Sequence, residues 1–220
     1  LFFRDQELTP EAHLDFAKKW GPINVNRFFT PVEGYPSIAE VRKEPHQQYN
    51  IGGNWHTDHS YDQIPALGSM LYAKELPKVG GDTLFAGCAA AFDTLSEGMK
   101  NTLRSLRAVH SSRHVFGKSA VIPDDMADLF GNADKALQDA EHPVVIKHPL
   151  SGRETLYVNP GFTTRFVGWT EKESNSLLAF LYEHISRPEH TYRFQWSKGA
   201  LAFWDNRATW HLAVNDYPGE

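Results

Sequence analysis

The sequence predicts a mainly β fold with a few flanking helices, arranged as a sandwich or a barrel. Short runs rich in β-branched and aromatic residues are separated by Pro, Gly and Asn, which is the pattern of short strands joined by turns. Two segments with helical periodicity lie apart from these runs and do not alternate with them, which argues against repeated β-α-β units. A chain of 220 residues with 41% hydrophobic content can bury one sizeable core, so residues 1–220 are expected to form a single domain.

Two helices are predicted from their capping signals. In LTPEAHLDFAKKWG, Thr9 is the expected N-cap, Pro10 occupies the first helical position and Gly21 ends the segment. In TEKESNSLLAFLYEHIS, Thr170 and Glu173 have the spacing of a capping box, and apolar residues follow at helical intervals.

Strands are expected in the runs SMLYAKEL, HPVVIKHP, ETLYVN, TYRFQW and ALAFWDN. The segment 118–141 differs from them because it is charged, rich in Asp and poor in aromatic residues. It is predicted to be a surface insertion and is a candidate lid over a site.

Charge and cysteine content narrow the function classes. A net charge of −5 and the absence of a Lys/Arg run argue against nucleic acid and anionic membranes as partners. The single cysteine, Cys88, cannot form an internal disulfide, and there is neither a signal peptide nor an apolar run of membrane-spanning length. A cytoplasmic location is therefore expected, and a homo-oligomer is compatible with the sequence. The chain starts at Leu1 without Met, so it is expected to lack its native termini.

The stretch NWHTDHSY is the first candidate for chemistry. In an extended chain, residues i and i+2 point to the same side, so His56 and Asp58 project together while Thr57 faces away. Taken alone, this pair is better explained as a hydrogen-bonded pair in a loop than as a metal site. A distant stretch, GALAFWDNRATWHLAVNDY, adds His211 and would complete a 2-His-1-carboxylate triad, which suits Fe(II) and leaves coordination positions open. Zinc is the main competitor for the same three ligands.

Five motifs in order, NWHTD, KELPKVGGDTLFA, LYVNPGFTTRFVG, LLAFLYEHI and FWDNRATWH, resemble the TauD/TfdA family of Fe(II)- and 2-oxoglutarate-dependent dioxygenases. The resemblance implies a double-stranded β-helix, or jelly roll, with His56, Asp58 and His211 as iron ligands. It also implies that Thr83 hydrogen-bonds 2-oxoglutarate and that Trp196 lies against this cosubstrate. Without the resemblance, Thr83 would be taken as a turn residue and Trp196 as core packing.

The reaction implied by the resemblance uses O₂ and 2-oxoglutarate, releases succinate and CO₂, and hydroxylates a small organic acid. Because Asp58 is a carboxylate, the chain should hydroxylate rather than halogenate. The resemblance further implies an Arg that clamps 2-oxoglutarate. It is expected beyond Glu220, with Arg165 or Arg207 as substitutes if the chain ends there.

The substrate is expected to be bulkier and more apolar than taurine. At the positions that taurine-oxidising members use for polar contacts, this chain has Asn26, Phe29 and Gly52. An aryloxyalkanoate, an alkyl sulfate or a related sulfonate would suit such a pocket, and the tracts EGYPSI and VHSSRHVFG resemble the aryloxyalkanoate-cleaving branch. Arg113 is a candidate contact for the substrate anion.

The roles of the two histidines near Arg113, and of the arginines in the family motifs, are harder to assign. His110 and His114 are further candidate anion contacts, although solvated surface positions explain them equally well. Arg165 and Arg207 are expected in scaffold ion pairs. Two functions of other classes remain open from the residues alone: a zinc hydrolase or cupin-like isomerase with the same ligands, and a catalytically silent binding module.

Overall fold

The computed structural model describes residues 1–118, 120–125 and 130–217. The described strands are β1 (Phe2–Phe3), β2 (Pro31–Val32), β3 (Tyr35–Ala39), β4 (Gly68–Tyr72), β5 (Thr83–Gly87), β6 (Arg107–Ser111), β7 (Asp139–Pro143), β8 (Val145–Lys147), β9 (Glu154–Leu156), β10 (Thr163–Phe166), β11 (Thr191–Phe194), β12 (Leu201–Asp205) and β13 (Thr209–Ala213). The described α-helices are α1 (Pro10–Lys18), α2 (Cys88–Asp93), α3 (Glu97–Arg104), α4 (Arg113–Phe116) and α5 (Glu171–Ile185).

The strands pair into small antiparallel sheets. Three of them have three strands, in the orders β1-β12-β4, β11-β5-β13 and β10-β6-β7, and two are hairpin-like pairs, β2-β3 and β8-β9. The strand pairing is antiparallel throughout the described sheets. The predicted class, mainly β with flanking helices, is therefore confirmed.

The two predicted helices form for the reasons that the sequence suggested. The Thr9 hydroxyl accepts a hydrogen bond from the Ala12 N–H at the start of α1. At the start of α5, Thr170 and Glu173 make both bonds of a capping box. Gly21 lies beyond the last turn of α1 with φ of 146°, so the chain leaves the helix through a conformation that glycine adopts readily.

Several elements were not predicted from the sequence. Strand β5 starts at Thr83, so this residue does not lie in the turn that its GGDT context suggested. Helix α3 has a readable N-cap, Ser96, whose hydroxyl accepts from the Met99 N–H. Strands β6 and β10 were missed because each is short and its pairing is decided by distant residues rather than by a local pattern.

The predicted insertion 118–141 ends earlier than expected. Residues 139–141 belong to β7, which pairs along its whole length with β6, so they are part of the scaffold. Residues 119 and 126–129 lie outside the described part of the chain. The flanking portions contact the N-terminal third: the Gln47 amide donates to the Asp125 carbonyl at 2.6 Å, and Phe29 forms a β-bridge with Phe130. Closure as a lid stays a prediction.

Two apolar clusters position the site. One consists of buried side chains from the sheets that contain β5 and β12: Phe85, Phe194, Ala200, Ala202 and Trp204. The other is aromatic and lies around Phe28, Tyr61 and Phe162. Among the described helices, none combines the length and hydropathy needed to cross a membrane.

Candidate metal centre

Two histidines and an aspartate from distant parts of the chain converge on one point. The backbones of His56 and His211 form an isolated antiparallel bridge, with N–H to O=C distances of 3.1 and 2.8 Å. Asp58 Oδ1 lies 3.6 Å from His56 Nε2, and Asp58 Oδ2 lies 3.8 Å from His211 Nε2. One ligand atom from each residue lies within 4.8 Å of the others. Thr57 faces away, as predicted, and its hydroxyl donates to the Asn206 carbonyl at 2.6 Å.

The two imidazoles are oriented in different ways. His56 Nδ1 donates to the Asn54 carbonyl at 2.8 Å, which leaves the Nε2 lone pair free for a ligand. His211 Nδ1 has no partner among the described residues, and its ring is instead packed 4.6 Å from the ring of Trp204 and 6.4 Å from that of Phe85. Burial, aided by His56, lowers the pKa of His211 to about 3, so its imidazole is neutral and able to coordinate a metal.

Asp58 is held in its ionised form. Burial alone would raise the pKa of Asp58, but the adjacent His211 and His56, together with a hydrogen bond from Ser69, outweigh it and keep the pKa below its ordinary value. Two imidazole nitrogens and a carboxylate oxygen are the donor set that divalent iron prefers, and zinc also accepts it. These donors fit a divalent transition-metal ion.

Thr83 and Trp196, the predicted cosubstrate residues, are in direct contact. The indole N–H of Trp196 donates to Thr83 Oγ1 at 2.9 Å. Thr83 is buried at the start of β5, where it pairs with Ala213 two residues after His211. Because its oxygen accepts from the indole, the hydroxyl proton of Thr83 remains available to a bound carboxylate.

Two of the predicted substrate residues are connected to His56, Gly52 directly and Phe29 through other aromatic rings. A Cβ at Gly52 would lie 3.0 Å from His56 Cε1, so this glycine, which has φ of 71°, packs against the ligand ring. Phe29 belongs to a chain of aromatic contacts that reaches His56 through Phe116 and Phe162. The ring centroids along this chain are 6.0 to 6.4 Å apart.

The polar groups of the remaining substrate candidates, Asn26 and Arg113, form hydrogen bonds within the protein. Asn26 Oδ1 accepts from the Phe28 N–H at 2.9 Å, which shapes the turn before the aromatic cluster. Arg113 donates through Nε to both oxygens of Asp139 and through Nη2 to the Leu137 carbonyl. Substrate binding by Arg113 stays a prediction, and it would require this surface pair to be exchanged for the substrate.

The two histidines next to Arg113 and the two motif arginines are also engaged. His110, considered as an anion contact or a solvated surface residue, is fully buried, and burial, with His142 adding to the effect, lowers its pKa to about 3; a neutral, buried imidazole argues against both roles. His114 Nε2 donates to the Gly161 carbonyl at 2.9 Å. Arg207 forms a two-bonded pair with Asp205, and Arg165 donates to the Phe166 carbonyl. The scaffold ion pair expected for Arg207 is therefore confirmed.

Sequence reasoning missed three residues of the site. Ser69 donates a hydrogen bond to Asp58, Asn206 donates one to Ser69, and Phe162 contacts His56. Asn206 and Phe162 lie inside two of the motifs, FWDNRATWH and LYVNPGFTTRFVG, which was the available signal. Ser69 had none, because it is a single polar residue at the start of the predicted strand SMLYAKEL.

Comparisons with known proteins agree with this geometry. The family described as "Taurine catabolism dioxygenase TauD, TfdA family" matches residues 1–220. An alkylsulfatase of Acinetobacter baylyi is 35% identical over 99% of this chain and 68% of its own length. The alpha-ketoglutarate-dependent 2,4-dichlorophenoxyacetate dioxygenase of Cupriavidus pinatubonensis is 32% identical over 96% of this chain and 77% of its own length.

A solved structure of a taurine dioxygenase from Burkholderia xenovorans is 35% identical, covers 97% of this chain and 69% of that chain, and superimposes with a TM-score of 0.73. The likeness agrees with the predicted jelly-roll fold. Since alpha-ketoglutarate is 2-oxoglutarate, these relatives also support the dioxygenase interpretation over the zinc enzyme and the silent binding module. The chain belongs to the TauD/TfdA family of Fe(II)- and 2-oxoglutarate-dependent dioxygenases.

Proposed function

We propose that His56, Asp58 and His211 bind Fe(II), that Thr83 and Trp196 hold 2-oxoglutarate, and that the enzyme hydroxylates an apolar organic acid. The observation that carries the proposal is the convergence of the three donors from two distant segments on one point. A scaffold role for these residues would not require a neutral imidazole and an ionised carboxylate to face each other within a partly buried site.

The chain's own residues prepare the site for its ligands. His56 presents Nε2 because the Asn54 carbonyl fixes the other nitrogen as a donor. Thr83 offers its hydroxyl proton to a carboxylate because the Trp196 indole already occupies one of its oxygen lone pairs. Bound Fe(II) would couple the oxidation of 2-oxoglutarate by O₂, which yields succinate and CO₂, to hydroxylation of a substrate C–H bond.

Overall similarity does not select the substrate. Relatives named for an alkyl sulfate activity, a dichlorophenoxyacetate and taurine are 35%, 32% and 35% identical to this chain. The selection therefore depends on the residues around the metal. Phe162, Phe116 and Phe29 form an apolar wall beside His56, and Gly52 places no side chain on the ring. Such a surface suits a bulky apolar body better than a small aminosulfonate.

Alkyl sulfates and aryloxyalkanoates share the chemistry that this site would act on. Each has an anionic group and a C–H bond on a carbon that also carries an ether or ester oxygen. Hydroxylation of that carbon gives a hemiacetal-type product, which collapses by breaking the C–O bond. The products are an aldehyde and hydrogen sulfate from a primary alkyl sulfate, or an oxo acid and a phenol from an aryloxyalkanoate.

Succinate release tests the proposal. Purified protein supplied with Fe(II), ascorbate, 2-oxoglutarate and air should release succinate when a medium-chain alkyl sulfate or a phenoxyacetate is added, and hardly at all with taurine. Phenol or sulfate should appear in equal amount. If taurine is the best stimulant, the substrate inference is wrong and the dioxygenase assignment stands. If no acid stimulates release and the protein binds no metal, the metal-site assignment is wrong.

Three expectations from the sequence stay predictions. They are the cytoplasmic location, the formation of a homo-oligomer and the clamping of 2-oxoglutarate by an arginine. Arg207, the arginine of the last motif, is already paired with Asp205. This pairing favours a different arginine as the residue that clamps 2-oxoglutarate.

A further inference from the structure

A chain of two hydrogen bonds lies behind Asp58. The Asn206 side-chain amide donates from Nδ2 to Ser69 Oγ at 3.1 Å, and the Ser69 hydroxyl donates to Asp58 Oδ2 at 2.6 Å. Ser69 is in β4, and Asn206 is in the turn between β12 and β13. Strands β4 and β12 pair directly, so the sheet register brings the two side chains together.

Asn206 is anchored on both sides of this chain. It is 1% exposed, and its backbone N–H donates to the Leu67 carbonyl at 3.0 Å, two residues before Ser69. Its carbonyl accepts from the hydroxyl of Thr57, the residue next to Asp58, at 2.6 Å. The backbone of Asn206 is therefore fixed to the segments that carry Ser69 and Asp58.

The donor in the first of these two hydrogen bonds determines the direction of the second. Because Asn206 donates to the Ser69 oxygen, the single hydroxyl proton of Ser69 is left to point at Asp58. The opposite amide orientation would present Oδ1 to Ser69 and compete for that proton. In this structure Asn206 Oδ1 has no hydrogen-bond partner in the described part of the chain, so the amide orientation serves Ser69.

We propose that Ser69, held by Asn206, is a positioning residue that makes Asp58 a one-oxygen metal ligand. The inference rests on the proposed Fe(II) site. Ser69 takes a lone pair of Oδ2, which leaves Oδ1, 3.6 Å from His56 Nε2, as the freer oxygen. A carboxylate that binds through one oxygen, together with two imidazoles, fills three octahedral positions. Three remain for a chelating cosubstrate and O₂, whereas binding through both oxygens would leave two.

The test uses Co(II) in place of Fe(II), because its visible absorption reports coordination number and its affinity can be measured by competition with a chelator. Ser69→Ala should bind Co(II) about tenfold more weakly than the wild type and show a changed Co(II) spectrum. Ser69→Thr, which keeps the hydroxyl, should restore both. Asn206→Ser should shift both readouts in the same direction as Ser69→Ala, by less.

Ser174→Ala is the matched control, since Ser174 is also a buried, hydrogen-bonded serine but lies in α5, where it bonds Thr170 and Phe166. It should lower thermal stability and leave Co(II) binding unchanged. If Ser69→Ala does not fold, Ser69→Cys replaces it, because it keeps the volume and weakens the donor. A folded Ser69→Ala or Ser69→Cys variant with wild-type affinity and spectrum overturns the inference. A wild type that binds no Co(II), or whose binding survives in Asp58→Ala, overturns the proposed function instead.

Discussion

The metal side of the site and its substrate side are built differently. His211, Thr83 and Ser69 lie in paired strands, and His56 is bridged to His211, so backbone hydrogen bonds fix where these side chains point. Asn26 and Gly52, which are proposed to lie on the substrate side, are in turns or irregular segments. Strand register thus sets the reactive centre, while loops set what reaches it, which is how one fold can serve different substrates.

The largest effect is expected when one of the three proposed metal ligands is removed. His211→Ala removes one of three donors and should abolish succinate release, by about 1000-fold or more, together with tight Co(II) binding. The control is His184→Ala, which removes another buried histidine, bonded to the Ala91 carbonyl. That variant should lose stability yet bind Co(II) as the wild type does. Equal metal binding in both variants would contradict the assignment of His211.

A smaller, selective effect is expected on the substrate side. Phe29→Ala removes the outer part of the aromatic wall without touching a donor, so KM for the best apolar acid should rise about tenfold with little change in kcat. The affinity for 2-oxoglutarate should stay unchanged. Phe180→Ala, on the exposed face of α5, is the control and should change neither constant. A large fall in kcat for Phe29→Ala would mean that the two sides are not separable.

The smallest effect is expected on the pH dependence of stability and concerns His110. This residue lies in β6, shortly before Arg113, the predicted contact for the substrate anion. Burial, with His142, lowers its pKa to about 3, whereas the unfolded chain takes up this proton near pH 6.5. The neutral form therefore stabilises the fold fully above pH 6.5, and this contribution is lost as pH falls. The loss is at most about 1.4 kcal/mol per pH unit.

Denaturant titrations between pH 7 and 5 measure that loss. The free energy of unfolding should fall less steeply with pH in His110→Gln than in the wild type, although the variant is less stable overall. His46→Gln, at an exposed position, should follow the wild-type slope. An unchanged slope in His110→Gln would mean that His110 has the same pKa in the folded and the unfolded protein, so that burial does not keep it neutral.

The amino-acid sequence by itself determined the features that depend on near neighbours. The two-residue period placed His56 and Asp58 on one side and Thr57 on the other, and the cap residues defined where α1 and α5 begin. The motifs also named Thr83 and Trp196, whose contact the structure contains. The same motifs predicted the family, and the family match extends over residues 1–220.

Only the tertiary structure decided which polar and charged side chains already have hydrogen-bond or ion-pair partners and which are buried. Ser69 and Asn206 are 137 residues apart and meet because β4 and β12 pair in one register. Pairing with Asp139 engages Arg113, and complete burial removes the charge of His110. The physical reason is that periodicity and capping act over a few residues, whereas burial and hydrogen-bond partners depend on which strands pair, and pairing is settled by the packing of the whole domain.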